Sequence, residues 1–196
     1  MPNPTGTDTE REWFEIFNQT PLTIDLTGYK VGDEETQGST EGMYSFPSGT
    51  MMPSGEVYVI ALKATGFEAF YGFKPDFELT SSDPLVPDLT QYLTWGSGIL
   101  ALGNSGDHAL IVSPADTIVD GVNHGDATLF FTGVLLGDNQ SYERIVQPDT
   151  DTAADWTVRD SGSATPGFTT LTVIPEPSAL ALGLLAASLL VIRRRV

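Results

Sequence analysis

Cysteine is absent from the sequence, which excludes disulfide staples, thiol catalysis and cysteine-ligated metals. Basic residues are scarce: 9 Lys and Arg stand against 26 Asp and Glu, for a net charge of −17. Three of the nine are Arg193, Arg194 and Arg195 near the end, and the stretch from Val173 onward holds one acid, Glu176. The preceding residues thus carry 25 acids and 6 bases, a net charge of −19. Such a surface repels phosphate backbones and anionic membranes, so nucleic acid is not an expected partner. It favours solubility and suits divalent cations, with a plain solvated surface as the simpler reading. There are no helical heptads and no internal repeat.

Histidine occurs twice, at His108 and His124. A serine-hydrolase triad or a two-histidine zinc site would have to use one or both. His108 opens an expected strand and His124 precedes Gly125-Asp126 in an expected loop, without helical metal spacing, so both are read as solvated or hydrogen-bonded. Paired carboxylates could hydrolyse a glycoside, but among so many acids a suitable pair arises by chance. Asp149-Thr-Asp-Thr-Ala-Ala-Asp155 has the look of a calcium loop. It lacks the glycine and terminal glutamate of such loops, and the alternative is a capped turn before Trp156. No catalytic residue and no metal ligand is assigned, and calcium is the one cofactor left open. Trp13 and Trp156 fall within strand patterns and are expected in the core. Trp95 borders a long connection and is the one tryptophan considered for a surface site.

Short runs of β-branched and aromatic residues recur between Gly, Pro, Asn and Asp punctuation from Glu12 to Thr172. Glu12-Trp-Phe-Glu-Ile-Phe-Asn18 reads as an edge or half-buried strand. Leu22 to Val31 alternates until Gly28 breaks the period, as a bulge or bend would. Met43 to Phe46 is a short strand, and the near-continuous apolar run Val57 to Leu62 is a central one. Gly66 to Tyr71 is expected to form one or two helical turns, and Asp76 to Gln91 a long excursion. Gly98 to Leu102 and His108 to Val112, joined by Asn104-Ser-Gly-Asp107, predict a hairpin. Thr117 to Val122, Ser141 to Val146 and Trp156 to Arg159 complete an expected two-sheet sandwich.

The last residues have three parts in order: Pro175-Glu176-Pro177, an uncharged run, and three arginines. The run is Ser178, Ala179, Leu180, Ala181, Leu182, Gly183, Leu184, Leu185, Ala186, Ala187, Ser188, Leu189, Leu190, Val191 and Ile192. The prolines disfavour helix before Ser178, which is a sound N-cap. A helix apolar all round sits in a core or in lipid. This one would span about 22 Å, short of the ~30 Å hydrocarbon thickness, which suits a transient crossing better than a permanent anchor. Arg193 to Arg195 would snorkel to headgroups on the cytoplasmic side.

This layout resembles the PEP-CTERM sorting signal of Gram-negative bacteria that make exopolysaccharide. The resemblance implies recognition of Pro175, Glu176 and Pro177 by an exosortase-type enzyme and removal of the helix, as with other C-terminal sorting tails. A buried domain helix and a permanent tail anchor are the alternatives.

A second resemblance covers Asn3 to Phe168. Asn3-Pro-Thr-Gly-Thr-Asp-Thr-Glu-Arg-Glu-Trp-Phe-Glu-Ile-Phe-Asn18 and Ile24-Asp-Leu-Thr-Gly-Tyr29 look like the opening of a lamin-tail domain. So do Gly103-Asn-Ser-Gly-Asp107, Ile118-Val-Asp120, Gln140-Ser-Tyr-Glu-Arg144, the run Pro148 to Trp156, and Thr165-Pro-Gly167. The resemblance implies an all-β, immunoglobulin-like β-sandwich with a short helical insertion, over residues 1–172, followed by the sorting signal at 173–196. It contributes no catalytic residues. Together the two resemblances imply an exported, non-enzymatic surface or matrix module for adhesion or exopolysaccharide association. The alternatives are a secreted polysaccharide-active hydrolase and a calcium-dependent binding domain.

The opening Met1-Pro-Asn-Pro lacks the basic start, apolar stretch and cleavage site of a signal peptide. In the lamin-tail family an apolar first strand precedes such an opening. The expectation is therefore a true start upstream of Met1, and a sandwich missing one strand, with an open edge of unpaired backbone groups at its place.

Overall fold

Val57–Ala61 is apolar at almost every position, and a strand of that kind needs cover on both faces and both edges. The computed structural model, which describes residues 1–175, gives it that place. In chain order its elements are α1 (Asp8–Arg11), β1 (Trp13–Phe17), β2 (Ile24–Asp25), β3 (Lys30–Gly32), β4 (Met43–Ser45) and β5 (Met51–Met52). There follow β6 (Val57–Ala61), α2 (Ala64–Tyr71), β7 (Phe77–Glu78), β8 (Thr90–Gln91), β9 (Gly106–Val112), β10 (Ile118–Gly125), β11 (Ser141–Arg144) and β12 (Trp156–Arg159).

β6 is the middle of the three-stranded sheet β1-β6-β7, antiparallel to β1 and parallel to β7. A five-stranded sheet runs β10-β9-β3-β4-β8, and β2-β5 and β11-β12 form two-stranded pairs. The first two sheets share one core: Phe14, Ile60 and Phe77 on one side meet Val31, Tyr44 and Phe46 on the other. Phe46 and Phe77 meet edge to face with centroids 5.3 Å apart. The outer face of the small sheet is covered by α2, where Phe67 is fully buried against Trp13, Val59 and Ala61. This mostly β architecture with few short helices is consistent with the immunoglobulin-like fold implied by the sequence. Gly28 supplies the expected bend after β2, with φ of 79°.

One strand assignment is overturned. Residues 98–102 form no strand, and the hairpin is β9-β10, in register from Ile118↔Val112 to Gly125↔Gly106. The reason is side-chain chemistry distant in sequence. Leu100 and Leu102 do enter the core, but the backbone there bonds to buried carboxylates instead of a ladder. Ala101 N–H donates to Asp33 at 2.9 Å, Leu102 N–H to Glu12 at 3.2 Å, and Gly103 N–H to Asp107 at 2.7 Å. A Cβ at Gly98 would stand 1.7 Å from Thr40 O, which shows how tightly this segment lies against the loop after β3.

The acidic composition is thus partly internal. Glu78, fully buried, accepts N–H bonds from Ala64 at the start of α2 and from Ser82 and Asp83. Burial works to raise its carboxyl, but these bonds prevail and hold it below the usual range. A buried carboxylate ringed by donors serves here as a multiple cap.

Candidate functional site

A cavity of about 520 Å³ opens along the outer edge of β1 and is lined on its far side by all four residues of β11. Strand alternation puts Trp13, Glu15 and Phe17 on one face of β1. Glu15 is therefore an acid on an otherwise aromatic face, and Gly167 N–H donates to its Oε1 at 2.5 Å. Burial pushes its carboxyl up to about 7; the Gly167 bond opposes this, and Glu143 and Asp76 add to it.

On β11, Tyr142 stacks on Trp156 of β12, with centroids 5.5 Å apart and planes at 23°. Arg144 lies over the same indole at 4.7 Å and grips Asp120 of β10 with two bonds of 2.9 and 3.1 Å. It reaches Asp149 at 2.9 Å as well. This clamp ties the β11-β12 pair to the edge of the five-stranded sheet. Glu143 Oε2 pairs with Arg159, whereas Glu143 Oε1 and Trp156 Nε1 are buried without a hydrogen-bond partner among the described residues. Such orphans are unusual and mark a polar spot within an apolar wall. None of Glu15, Tyr142 or Glu143 was singled out from the sequence. The available signal was the acid at the centre of the aromatic alternation Trp13-Phe14-Glu15-Ile16-Phe17.

The candidates read from the sequence lie elsewhere. His108 and His124 sit side by side in the β9-β10 hairpin, opposite Asn123 and Asp107 respectively. Cross-strand partners share a face, so the two imidazoles start on opposite faces. His124 Nε2 contacts Gly103 O at 2.9 Å, and burial holds its pKa below the usual value. His108 Nδ1 is 3.7 Å from Glu35, and its Nε2 is buried without a hydrogen-bond partner among the described residues. Among the described residues the one carboxylate group close enough to share a cation is Glu34, Glu35 and Glu41, within 4.8 Å of one another, with neither histidine in it. Glu34 accepts the N–H groups of Thr36 and Glu41, so it also organises the loop that holds the group. Glu41, though exposed, is pushed up to about 7 by desolvation and then by Asp107, Glu34 and Glu35.

Asp149–Asp155 is a capped turn. Asp155 accepts the N–H groups of Thr150 and Thr152, and Thr152 with Asp155 forms a capping box ahead of β12. Trp13 is in the core as expected, donating to Tyr71 Oη at 2.9 Å. Trp95 is not at the surface: it is 6% exposed, packed on Met43 and Val112, with Nε1 donating to Glu34 O. A buried carbonyl in the acidic loop needs a donor, and the indole supplies it. Trp156 is half-buried in the cavity wall.

From Phe168 the chain forms another side of the cavity. Thr172 exchanges two hydrogen bonds with the side chain of Gln147, and Ile174 N–H donates to Gln19 O at 2.8 Å. Pro175, the first residue of the sorting motif, is exposed. Glu176, Pro177, the apolar run Ser178–Ile192 and Arg193–Arg195 lie outside the described residues. Among the described residues no helix is long and apolar enough to cross a membrane.

Facing sheets with a cavity at one sheet edge make this a β-rich domain. The chain belongs to the Lamin Tail Domain family, whose model matches residues 1–141. The match ends at the first residue of β11, so the β11-β12 pair and its loop fall beyond it, although the resemblance read from the sequence extends to Phe168. No curated protein matches the chain.

Proposed function

We propose that this protein is an exported, non-enzymatic surface or matrix module of a Gram-negative bacterium, sorted through a PEP-CTERM-type signal at residues 173–196. The observation that carries the reading is the ordered coincidence of Pro175-Glu176-Pro177, an uncharged run and three arginines behind a lamin-tail domain. The apolar helix crosses the inner membrane transiently, the arginines stay in the cytoplasm, and an exosortase-type enzyme acts at the Pro-Glu-Pro motif. The exposure of Pro175, at the end of a segment hydrogen-bonded to the domain as far as Ile174, supports access by that enzyme. At its destination the domain serves adhesion or association with exopolysaccharide. Its large negative charge supports solubility outside the cell and argues against nucleic acid as a partner. Fractionation of the host with and without the sorting enzyme tests the proposal. The protein is expected at the surface or in the matrix with the enzyme present, and in the inner membrane without it. The same distribution in both strains overturns the reading.

A second reading, a polysaccharide-active hydrolase, is favoured by one observation: Glu15, with a raised pKa, and Glu143 line a common cavity. It requires release of reducing ends from host exopolysaccharide by the purified protein, and loss of that release in Glu15→Gln.

A further inference from the structure

The chain leaves its domain beside the end of β1, where the turns are knotted by one side chain. Asn18, 2% exposed, donates through Nδ2 to the carbonyls of Leu22, Met52 and Pro53 at 2.8, 2.9 and 3.0 Å. Gly55 N–H donates to Asn18 O at 2.9 Å, and Ser54 Oγ to Thr20 O at 2.7 Å. The departing segment lies on this knot. Ile174 N–H reaches Gln19 O, and a Cβ on Gly55 would stand 3.3 Å from Val173 Cγ2. Three residues, Pro175-Glu176-Pro177, separate Ile174 from Ser178, where the uncharged run begins. Even fully extended, the chain from Ile174 to Ser178 reaches at most ~14 Å.

Charge is divided along β1. The segments 18–24, 50–55 and 169–175, brought together by these bonds, hold no Asp, Glu, Lys or Arg. They expose Pro21, Leu22, Thr23, Pro53 and Ser54, with Leu22 66% exposed. Asp25 and Glu56 border them in sequence, and the Asp25 carboxylate is engaged by the N–H and hydroxyl of Thr27. At the other end of β1, Glu12 and Asp33 hold the backbone of residues 101–102. There stand Asp8 and Glu10 of α1 and the group Glu34, Glu35 and Glu41.

We propose that this uncharged end is a lipid-facing surface: while the tail crosses the membrane, Pro21, Leu22, Pro53 and Ser54 rest on the headgroups of that bilayer. The inference rests on the sorting reading above, which puts the run from Ser178 into lipid. Two observations choose the occupant. The tether of ~14 Å is far shorter than the domain's own diameter of roughly 40 Å, so the domain cannot turn over above the headgroups. An anionic leaflet also repels carboxylates, which keeps the acidic end of β1 outward and the uncharged end inward. The Pro-Glu-Pro motif is thereby held at headgroup level, between the lipid and the Asn18 knot.

The chain has no cysteine, so a single fluorophore can be attached at a chosen place. Leu22→Cys labels the uncharged end and Gln37→Cys the exposed acidic loop after β3; both side chains are exposed, so the fold tolerates the changes. Each labelled full chain is reconstituted in vesicles of phosphatidylcholine and phosphatidylglycerol in equal parts, with spin-labelled headgroups as quencher. The label at Leu22 is expected to be quenched and the label at Gln37 to stay bright. Pro53→Asp sets an acid against the anionic surface, and should shift the Leu22 label about fivefold from the quenched toward the bright population. High salt should restore the quenching. A bright Leu22 label, equal quenching of both labels, or no effect of Pro53→Asp, on chains that float with the vesicles, overturns the proposal and leaves the sorting reading standing. Quenching that appears only when the sorting enzyme is added assigns the surface to that enzyme and likewise overturns it. A chain that does not float with the vesicles overturns both.

Discussion

Glu12 offers a direct test of the buried-carboxylate architecture. It is 2% exposed and accepts Leu102 N–H in place of a strand ladder. Burial pushes its pKa from 4.5 up to about 8; the Leu102 bond opposes that, while Asp8 and Asp107 reinforce it. The folded chain therefore holds the proton up to about pH 8, whereas the unfolded chain releases it near 4.5. Between those values the native state binds more protons, so stability is greatest below the unfolded pKa and falls as pH rises through the window. A shift of this size corresponds to at most ~5 kcal/mol. Relaxation of the native state around the ionised carboxyl reduces it to about 2–3 kcal/mol. Glu12→Gln keeps an acceptor for Leu102 and cannot ionise. In urea unfolding it should match wild type at about pH 5 and exceed it by about 2–3 kcal/mol at about pH 8. Glu15 and Asp33, both raised to about 7 by burial, keep a residual slope in both proteins, so the difference isolates Glu12. An unchanged difference between the two pH values would refute the reasoning.

Phe67→Ala empties the contact between α2 and the small sheet, where the ring meets Trp13, Tyr71 and Phe73; it should cost about 3–5 kcal/mol in urea unfolding. Arg144→Lys loses the bidentate grip on Asp120 and the stacking on Trp156, and should cost about 1–3 kcal/mol. Its mark is faster amide exchange in segment 141–145, with exchange of β6 unaltered. Glu176→Ala is expected to leave an unprocessed, membrane-retained protein; normal processing of that variant would sink the role given to the motif.

The strands around the core were legible because their pattern is local. Alternation identified β1, and the continuous apolar run identified β6 as central, since burial on both faces leaves no polar side. The Gly66–Tyr71 turns appear as α2, and the Thr152–Asp155 spacing explains the capped turn. What failed depended on partners far away in sequence. Residues 98–102 have the composition of a strand, yet their N–H groups bond to acids from residues 12, 33 and 107. Trp95 was judged by its neighbouring loop, but a buried carbonyl at Glu34 fixes its place. The cavity joins Glu15 to Glu143 across more than half of the chain, and no local pattern announces that pairing. The acidic composition suggested a solvated surface, whereas Glu12, Asp33, Glu34, Glu78 and Asp155 are buried and bonded to backbone N–H groups.

Sorting through the C-terminal signal is the central claim, and the C-terminus of the mature protein tests it most directly. The protein is to be purified from the native host, with its sorting enzyme intact, and its C-terminal peptide identified by mass spectrometry. The account predicts a terminus at or close to Pro175-Glu176-Pro177, with Ala179–Ile192 and the arginines removed. A mature protein that still ends in Arg193-Arg194-Arg195-Val196 would contradict it.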